Sequence, residues 1–209
     1  MPDRHWANST GYLRAMSEGF LEHLYAYSGD PNTLTYLESF VDYELDHGLT
    51  PEGYAWSQVP YPSANPGALR YTGWSILGED CIEPHVVRED GYAYLQLYEL
   101  TLKTRSLRAA VHCAEALVKN YQDGDEAHSL WPARCYALDG KAPGSPMGSY
   151  SAYVVESMML FDELMRLGFG HVSEKQRVRD AVWAGFRNIR SLPTSEWDTS
   201  KIQFRACVT

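Results

Sequence analysis

Apolar residues recur along this chain at steps of three and four, in six blocks separated by turn signals. Leu13, Met16, Phe20, Leu24 and Tyr27 fall on one face of a helix over about residues 10–28. Gly29 ends it, and Asp30-Pro31 restarts the chain as cap and first helical residue. Leu34, Leu37, Val41 and Leu45 line one side of a second helix, which stops near Gly48. A third begins at Glu83-Pro84, where the missing N–H of proline costs nothing, and runs through Tyr94, Leu97 and Tyr98 to about Thr101. Thr104 is expected to cap a fourth, with Leu107, Val111, Ala114 and Val118 facing inward. Val154, Met158, Phe161 and Met165 mark a fifth. Ser173-Glu174-Lys175-Gln176 is a capping-box pattern that opens a sixth, carrying Val178, Val182 and Ile189 and stopping before Pro193.

The links alternate in length. Within a pair the turn is a few residues, which forces antiparallel neighbours. Between pairs the connections are long, over residues 49–83 and 122–149, and rich in aromatic and turn residues. The hairpin itself recurs: Leu24-Tyr25-Ala26-Tyr27-Ser28-Gly29-Asp30 aligns with Leu97-Tyr98-Glu99-Leu100-Thr101, and Tyr98-Glu99-Leu100 with Asp162-Glu163-Leu164. The pattern predicts an all-α stack of three (α/α) hairpins in a single domain, residues 1–192, followed by an irregular tail, residues 193–209. Loops of this length are functional or disordered as a rule, and their aromatic content argues against disorder.

Composition narrows the function. The net charge of −9 argues against nucleic acid, because a phosphate backbone rewards clustered Lys and Arg. Arg177, Arg179, Arg187 and Arg190 form the densest basic group and read as a solvated helix face. No apolar run reaches the length of a membrane span, and the first residues lack a secretory pattern, so a cytoplasmic location without membrane contact is expected. The four cysteines show no C-x-x-C pairing, which leaves free thiols, with Cys113 as a small buried hydrophobe. No H-x-H, H-E-x-x-H, P-loop or G-x-S-x-G motif is present, so neither a metal nor a cofactor is expected.

Three stretches carry a family resemblance. They are Leu24 to Asp30, Thr50-Pro51-Glu52-Gly53-Tyr54-Ala55-Trp56, and Gly124-Asp125-Glu126-Ala127-His128-Ser129-Leu130-Trp131-Pro132-Ala133-Arg134. With them the chain resembles the six-hairpin glycosidase-like, or (α/α) toroid, proteins over about residues 10–190. That group includes glycoside hydrolases, polysaccharide lyases and sugar epimerases. The resemblance implies an incomplete (α/α)6 toroid with about three hairpins, which is a fragment, a degenerate copy, or a chain that closes by pairing with another subunit. It implies a carbohydrate partner held in a groove between residues 49–83 and 122–150. A homodimer would cover the terminal helix faces, to which Met158, Met159 and Val182 are candidates.

Within that groove Tyr54, Trp56, Tyr61, Tyr71 and Trp74 are flat rings with polar edges, suited to stacking on sugars or to plugging the loop onto the helix ends. Glu79, Asp80 and Glu83 form the densest loop carboxylates; glycoside hydrolysis needs two, held at different proton affinities. Acidic residues at a helix start also serve as caps, which is the structural reading of Glu83. In the second loop a lyase reading gives Arg134 the task of neutralising a uronate carboxylate, His128 that of base, and Trp131 that of stacking platform. Arg134 has Asp125 and Glu126 as alternative, purely structural partners, and Tyr92 and Tyr94 are placed toward the concave side. The competing class is a non-catalytic helical-repeat module that binds a partner protein, or an inactive toroid fragment.

Overall fold

The computed structural model describes residues 23–62, 64–65, 70–71, 80–122, 130–132, 134–142, 151–170 and 173–180. Among them the chain is an all-α array of helical hairpins. The predicted helix over residues 10–28 enters at its last turns, ending in Ala26–Ser28, and Gly29 closes it at φ +64° with its N–H bonded to Tyr25 O at 2.7 Å. Glycine reaches this left-handed geometry at no steric cost. Asp30 then caps α1 (Pro31–His47): its Oδ1 accepts the Asn32 N–H at 2.9 Å, with Pro31 in the first helical position.

Helix α2 (Pro84–Thr101) and helix α3 (Thr104–Lys119) form the second hairpin, turned by Leu102 in the left-handed region with its N–H on Tyr98 O. Helix α4 (Ser151–Leu167) and the helical segment α5 (173–180) form the third, across a turn in which Gly168 and Gly170 both have positive φ. α2 lies at the centre, packed against α1, α3 and α4. The core it organises includes Leu37 and Val41 of α1, Leu95 and Leu97 of α2, Leu117 of α3, and Leu160, Phe161 and Leu164 of α4.

Two pairs of short strands join the loops. β1 (Ala64–Asn65) runs antiparallel to β2 (Arg70–Tyr71) with Ala64 opposite Tyr71. β3 (Cys81–Ile82) pairs with β4 (Cys135–Tyr136), with Cys81 opposite Tyr136 and Ile82 opposite Cys135. Two-residue strands are too short to leave an alternating pattern, so the sequence gives no sign of them. The β3–β4 pair matters most, because it stitches the first long connection to the second.

Several expectations need correction. Thr104 is already helical; Lys103 occupies the cap position and makes no side-chain cap bond. The inward face of α3 is Ser106, Ala110, Cys113, Ala114, Ala116 and Leu117, whereas Leu107, Val111 and Val118 are half-buried on the flanks. Small residues face α2 because the backbones come close there: a Cβ built on Gly91 would stand 2.8 Å from Cys113 Cβ and 2.8 Å from Leu160 Cδ2. The described part of α5 begins at Ser173, where the capping-box pattern starts, and residues 171–172 before it lie outside the described residues. Met158 is core, while Met159 is half exposed, since adjacent helical residues point about 100° apart. Leu24 and Tyr27 are 46% and 93% exposed: period 3.6 marks an apolar face but supplies no partner for it. Tyr94 is fully buried and presents nothing to a concave surface. Cys81, Cys113 and Cys135 are buried thiols in no disulfide. Residues 10–22, 193–209, Val182, Ile189 and Cys207 lie outside the described residues.

The α2–α3–α4 contact is testable at Gly91. Alanine there gains up to about 1 kcal/mol of helix propensity. It meets the Cβ of Cys113, which cannot rotate away, and overpacking of this kind costs roughly 1–3 kcal/mol. Gly91→Ala is expected to lower the unfolding free energy by about 1–2 kcal/mol, read from the urea midpoint at unchanged slope.

Candidate functional site

The first connection is built on Thr50, which is fully buried just beyond α1. Its hydroxyl donates to Trp56 O at 2.5 Å and accepts the Val59 N–H at 3.0 Å, folding residues 50–59 into a tight loop. The Tyr61 N–H then returns to Gly48 O at 2.9 Å. This loop is laced to the second connection by Ala55 N–H on Leu138 O and Trp56 N–H on Ala137 O, both at 3.0 Å. Asn120 Nδ2 donates to Ala55 O at 3.1 Å, and His112 Nε2 lies 2.8 Å from Ser57 O, which ties the loop to α3.

Asp80 sits at the entrance to β3 with φ +61°, an uncommon geometry for a residue with a side chain. The bonds that hold it there come from both connections: Tyr61 Oη donates to Asp80 Oδ1 at 2.6 Å, and the Ala137 N–H donates to Asp80 O at 2.7 Å. Three residues on, Glu83 holds the cap position of α2 in extended backbone, yet its carboxylate caps nothing. Arg134 takes it instead. Arg134 Nε donates to Glu83 Oε1 at 2.6 Å, a pairing across the β3–β4 junction, while Asp125 and Glu126 lie outside the described residues. Glu83 Oε2 is also 3.4 Å from His85 Nε2.

Burial governs the electrostatics of this cluster. The Glu83 carboxyl is raised above its ordinary value by desolvation first; Arg134 opposes that shift and Glu89 reinforces it. His85 is lowered to about 4 by burial, then by the positive charges of Arg88 and Arg134. It is therefore a neutral imidazole at neutral pH, and its contact with Glu83 is not an ion pair. Arg88 is itself buried and donates to Glu89 Oε1 at 2.9 Å. The result is a compact group at the start of α2: two guanidiniums, two carboxylates and one neutral imidazole. Such a group can bind an anion at Arg134, or exchange a proton at Glu83 or His85.

The structure thus brings Tyr61, Asp80, Glu83 and Arg134 to the junction of the two connections. Trp56 is joined to them through Ala137 and through a side-chain hydrogen bond with Cys135, and its ring is in the core at 1% exposure. Trp131 is also core: its Nε1 donates to Leu117 O at 2.9 Å, and its ring meets Tyr121 and Phe161. Tyr54 is half-buried against the core. Glu79, Trp74 and His128 lie outside the described residues, as does the side chain of Tyr71. Sequence reasoning passed over His85 and Arg88. Their signal was the run Glu83-Pro84-His85-Val86-Val87-Arg88-Glu89, a density of ionisable groups in the first turns of a helix. No cluster suited to a metal ion is present among the described residues.

Removing Arg134 leaves the buried Glu83 carboxylate without its cation. Arg134→Ala is expected to cost about 2–3 kcal/mol at about pH 7, in line with loss of a charged hydrogen bond. Without Arg134 the folded-state proton affinity of Glu83 rises further, and a raised carboxyl contributes stability that is present in acid and lost as pH rises. The deficit should therefore shrink at about pH 4, which thermal unfolding at the two pH values measures.

No family model and no curated protein matches the chain. Its fold is similar to that of a solved polysaccharide lyase, with a TM-score of 0.58 at 16% sequence identity. The match covers 99% of this chain and 62% of the lyase, so the chain spans less than two thirds of that enzyme's length. At this identity the likeness is one of fold: the helical-hairpin array is shared.

Proposed function

We propose that this chain is a carbohydrate-active protein of the polysaccharide-lyase or six-hairpin-glycosidase kind, binding a sugar polymer or oligosaccharide between residues 49–83 and 122–150. The observation that carries this reading is the junction at β3–β4, where both long connections deliver polar side chains to one place, Asp80 and Glu83 from the first and Arg134 from the second. A fold shared with a polysaccharide lyase supports it. In the same reading the three hairpins are part of an (α/α)6 toroid, and pairing of two copies is one way to close it.

Lyase chemistry fits the junction better than hydrolysis does. A hydrolase needs one carboxyl free to donate and one free to attack. Here Glu83 is engaged by Arg134, and the group at hand for a substrate anion is the guanidinium. Arg134 would take up the carboxylate of a uronic acid, withdraw charge from it and so acidify the neighbouring C–H. A base then removes that proton, the C–H electron pair becomes the new C=C as the bond to the departing sugar breaks, and the departing oxygen takes a proton from the protonated base or from water, leaving an unsaturated sugar. Asp80, exposed and oriented by the Tyr61 hydroxyl, is the described residue placed to accept the proton; His128 is a further candidate base, outside the described residues.

Incubation with a panel of uronic-acid and neutral oligosaccharides separates the readings. An ultraviolet-absorbing unsaturated product from one uronate polymer is expected, and new reducing ends from a neutral glycan would mark a hydrolase. Arg134→Ala should lower kcat/KM by roughly 10²–10³-fold, and Arg134→Lys should recover little of it, because a point charge does not match the forked geometry. Folded protein that neither cleaves nor binds any member of the panel would leave the helical-repeat module as the better account.

A further inference from the structure

A buried acid stands where α1 meets α2, outside the candidate site. Glu44, in the last turns of α1, is fully buried beside Tyr94 of α2, which is likewise fully buried. The Tyr94 hydroxyl donates to Glu44 Oε2 at 2.6 Å, and Oε1 has no partner among the described residues. The other ionisable groups that face this pair are Asp90 of α2 and Cys113 of α3. No cation acts on Glu44 among the described residues.

The turn that carries Glu44 leads directly into the site. The Gly48 N–H donates to Glu44 O at 2.6 Å, and Gly48 O accepts the Tyr61 N–H at 2.9 Å. Tyr61 in turn holds Asp80 through its hydroxyl. Thr50, two residues past Gly48, ties down Trp56 and Val59. Whatever displaces the end of α1 therefore pulls on the loop that orients Asp80.

We propose that Glu44 is a proton-operated clasp: protonated, it seats the end of α1 against Tyr94 and keeps the site loop in place, and on losing its proton it drives that end of α1 away from α2. A carboxylate with no cation beside it among the described residues is unstable in a dry interior. Desolvation accordingly raises the Glu44 carboxyl from 4.5 to about 8, with the Tyr94 bond pulling the other way. Burial pushes Tyr94 and Cys113 well above their ordinary values, so neither titrates where Glu44 does. The folded chain keeps this proton to higher pH than the unfolded chain. The clasp's contribution is thus whole below about 4.5 and is lost as pH rises through about 8. The device acts on the loop alone and holds for any ligand of the site.

Cys113 reports the opening, because it is buried and its thiol lies close enough to Glu44 to feel its charge. Its alkylation rate in the full folded chain, localised by peptide mass and divided by the rate in Glu44→Gln, removes the intrinsic pH dependence of the thiol. The ratio is expected to be near one below about pH 4.5 and to rise at least about tenfold between about pH 5 and pH 8, since labelling follows the open population. It should level off near pH 8, where the folded chain gives up the proton. Tyr94→Phe keeps the shape but deletes the bond that favours the carboxylate, so its own alkylation profile should level off at higher pH; a purely structural role would leave that point in place. A flat ratio, or an unmoved levelling-off point in Tyr94→Phe, overturns the proposal. Should Glu44→Gln fail to fold, the Tyr94→Phe shift measured against the unaltered chain decides alone.

Discussion

The structure depends on the burial of one helix. α2 packs on α1, α3 and α4, and ten of its eighteen residues, from Pro84 to Leu97, are buried. Close approach on the α3 and α4 side is possible because Gly91 has no side chain and the facing residue of α3 is as small as Cys113. A helix surrounded in this way cannot turn a polar face to water. Arg88, Asp90 and Tyr94 go inside with the leucines, and Glu83 and His85 go with them at the start. Desolvation then governs their chemistry: it raises Glu83 and lowers His85, and it lifts Glu44 across the α1 interface. The candidate site and the buried clasp are two consequences of one packing decision.

The long connections are part of the same core. Trp56, Val59 and Tyr61 from the first, and Leu130, Trp131, Cys135 and Ala137 from the second, are buried with the helices. Their aromatic content is explained largely by this, because a long loop has to bury apolar surface to offset the entropy of ordering its backbone. Where the two loops cross they need hydrogen bonds, and β3 with β4 supplies them in the shortest form available. Among the described residues the polar groups at that crossing are Asp80, Glu83 and Arg134.

Charge pairs on the outside align the helices without holding them. Lys103 meets Glu38, and Arg105 meets Asp42 and Asp46, which sets the α2–α3 turn against α1. Arg166 bridges Glu99 and Glu163, and Arg179 reaches Asp162, linking the second hairpin to the third and closing the third on itself. Exposed pairs of this kind contribute about 0–1 kcal/mol each. They favour one relative orientation among several that the apolar faces would accept. Arg177, from the basic group read as a solvated face, lies 5.3 Å over the Tyr121 ring, so its charge stays at the surface while its plane covers an aromatic.

By itself the sequence determined the helices of this protein. The Asp30-Pro31 cap, the Gly29 stop, the Glu83-Pro84 start and the periodicity of Leu37, Val41, Met158 and Phe161 are local signals, carried by residues within a turn or two of one another. Helices are made of such short-range bonds, and so the hairpin array was legible. The inward face of α3 was not, since small residues are selected by how near a neighbouring helix comes, and no local pattern records that distance. Glu83 shows the same division: its place as a cap residue was plain, but its partner Arg134 is fifty-one residues away and reached only once β3 meets β4. The proton affinities of Glu44 and His85 belong wholly to the tertiary structure. Desolvation is set by what surrounds a group in space, and a chain read in order carries no measure of it.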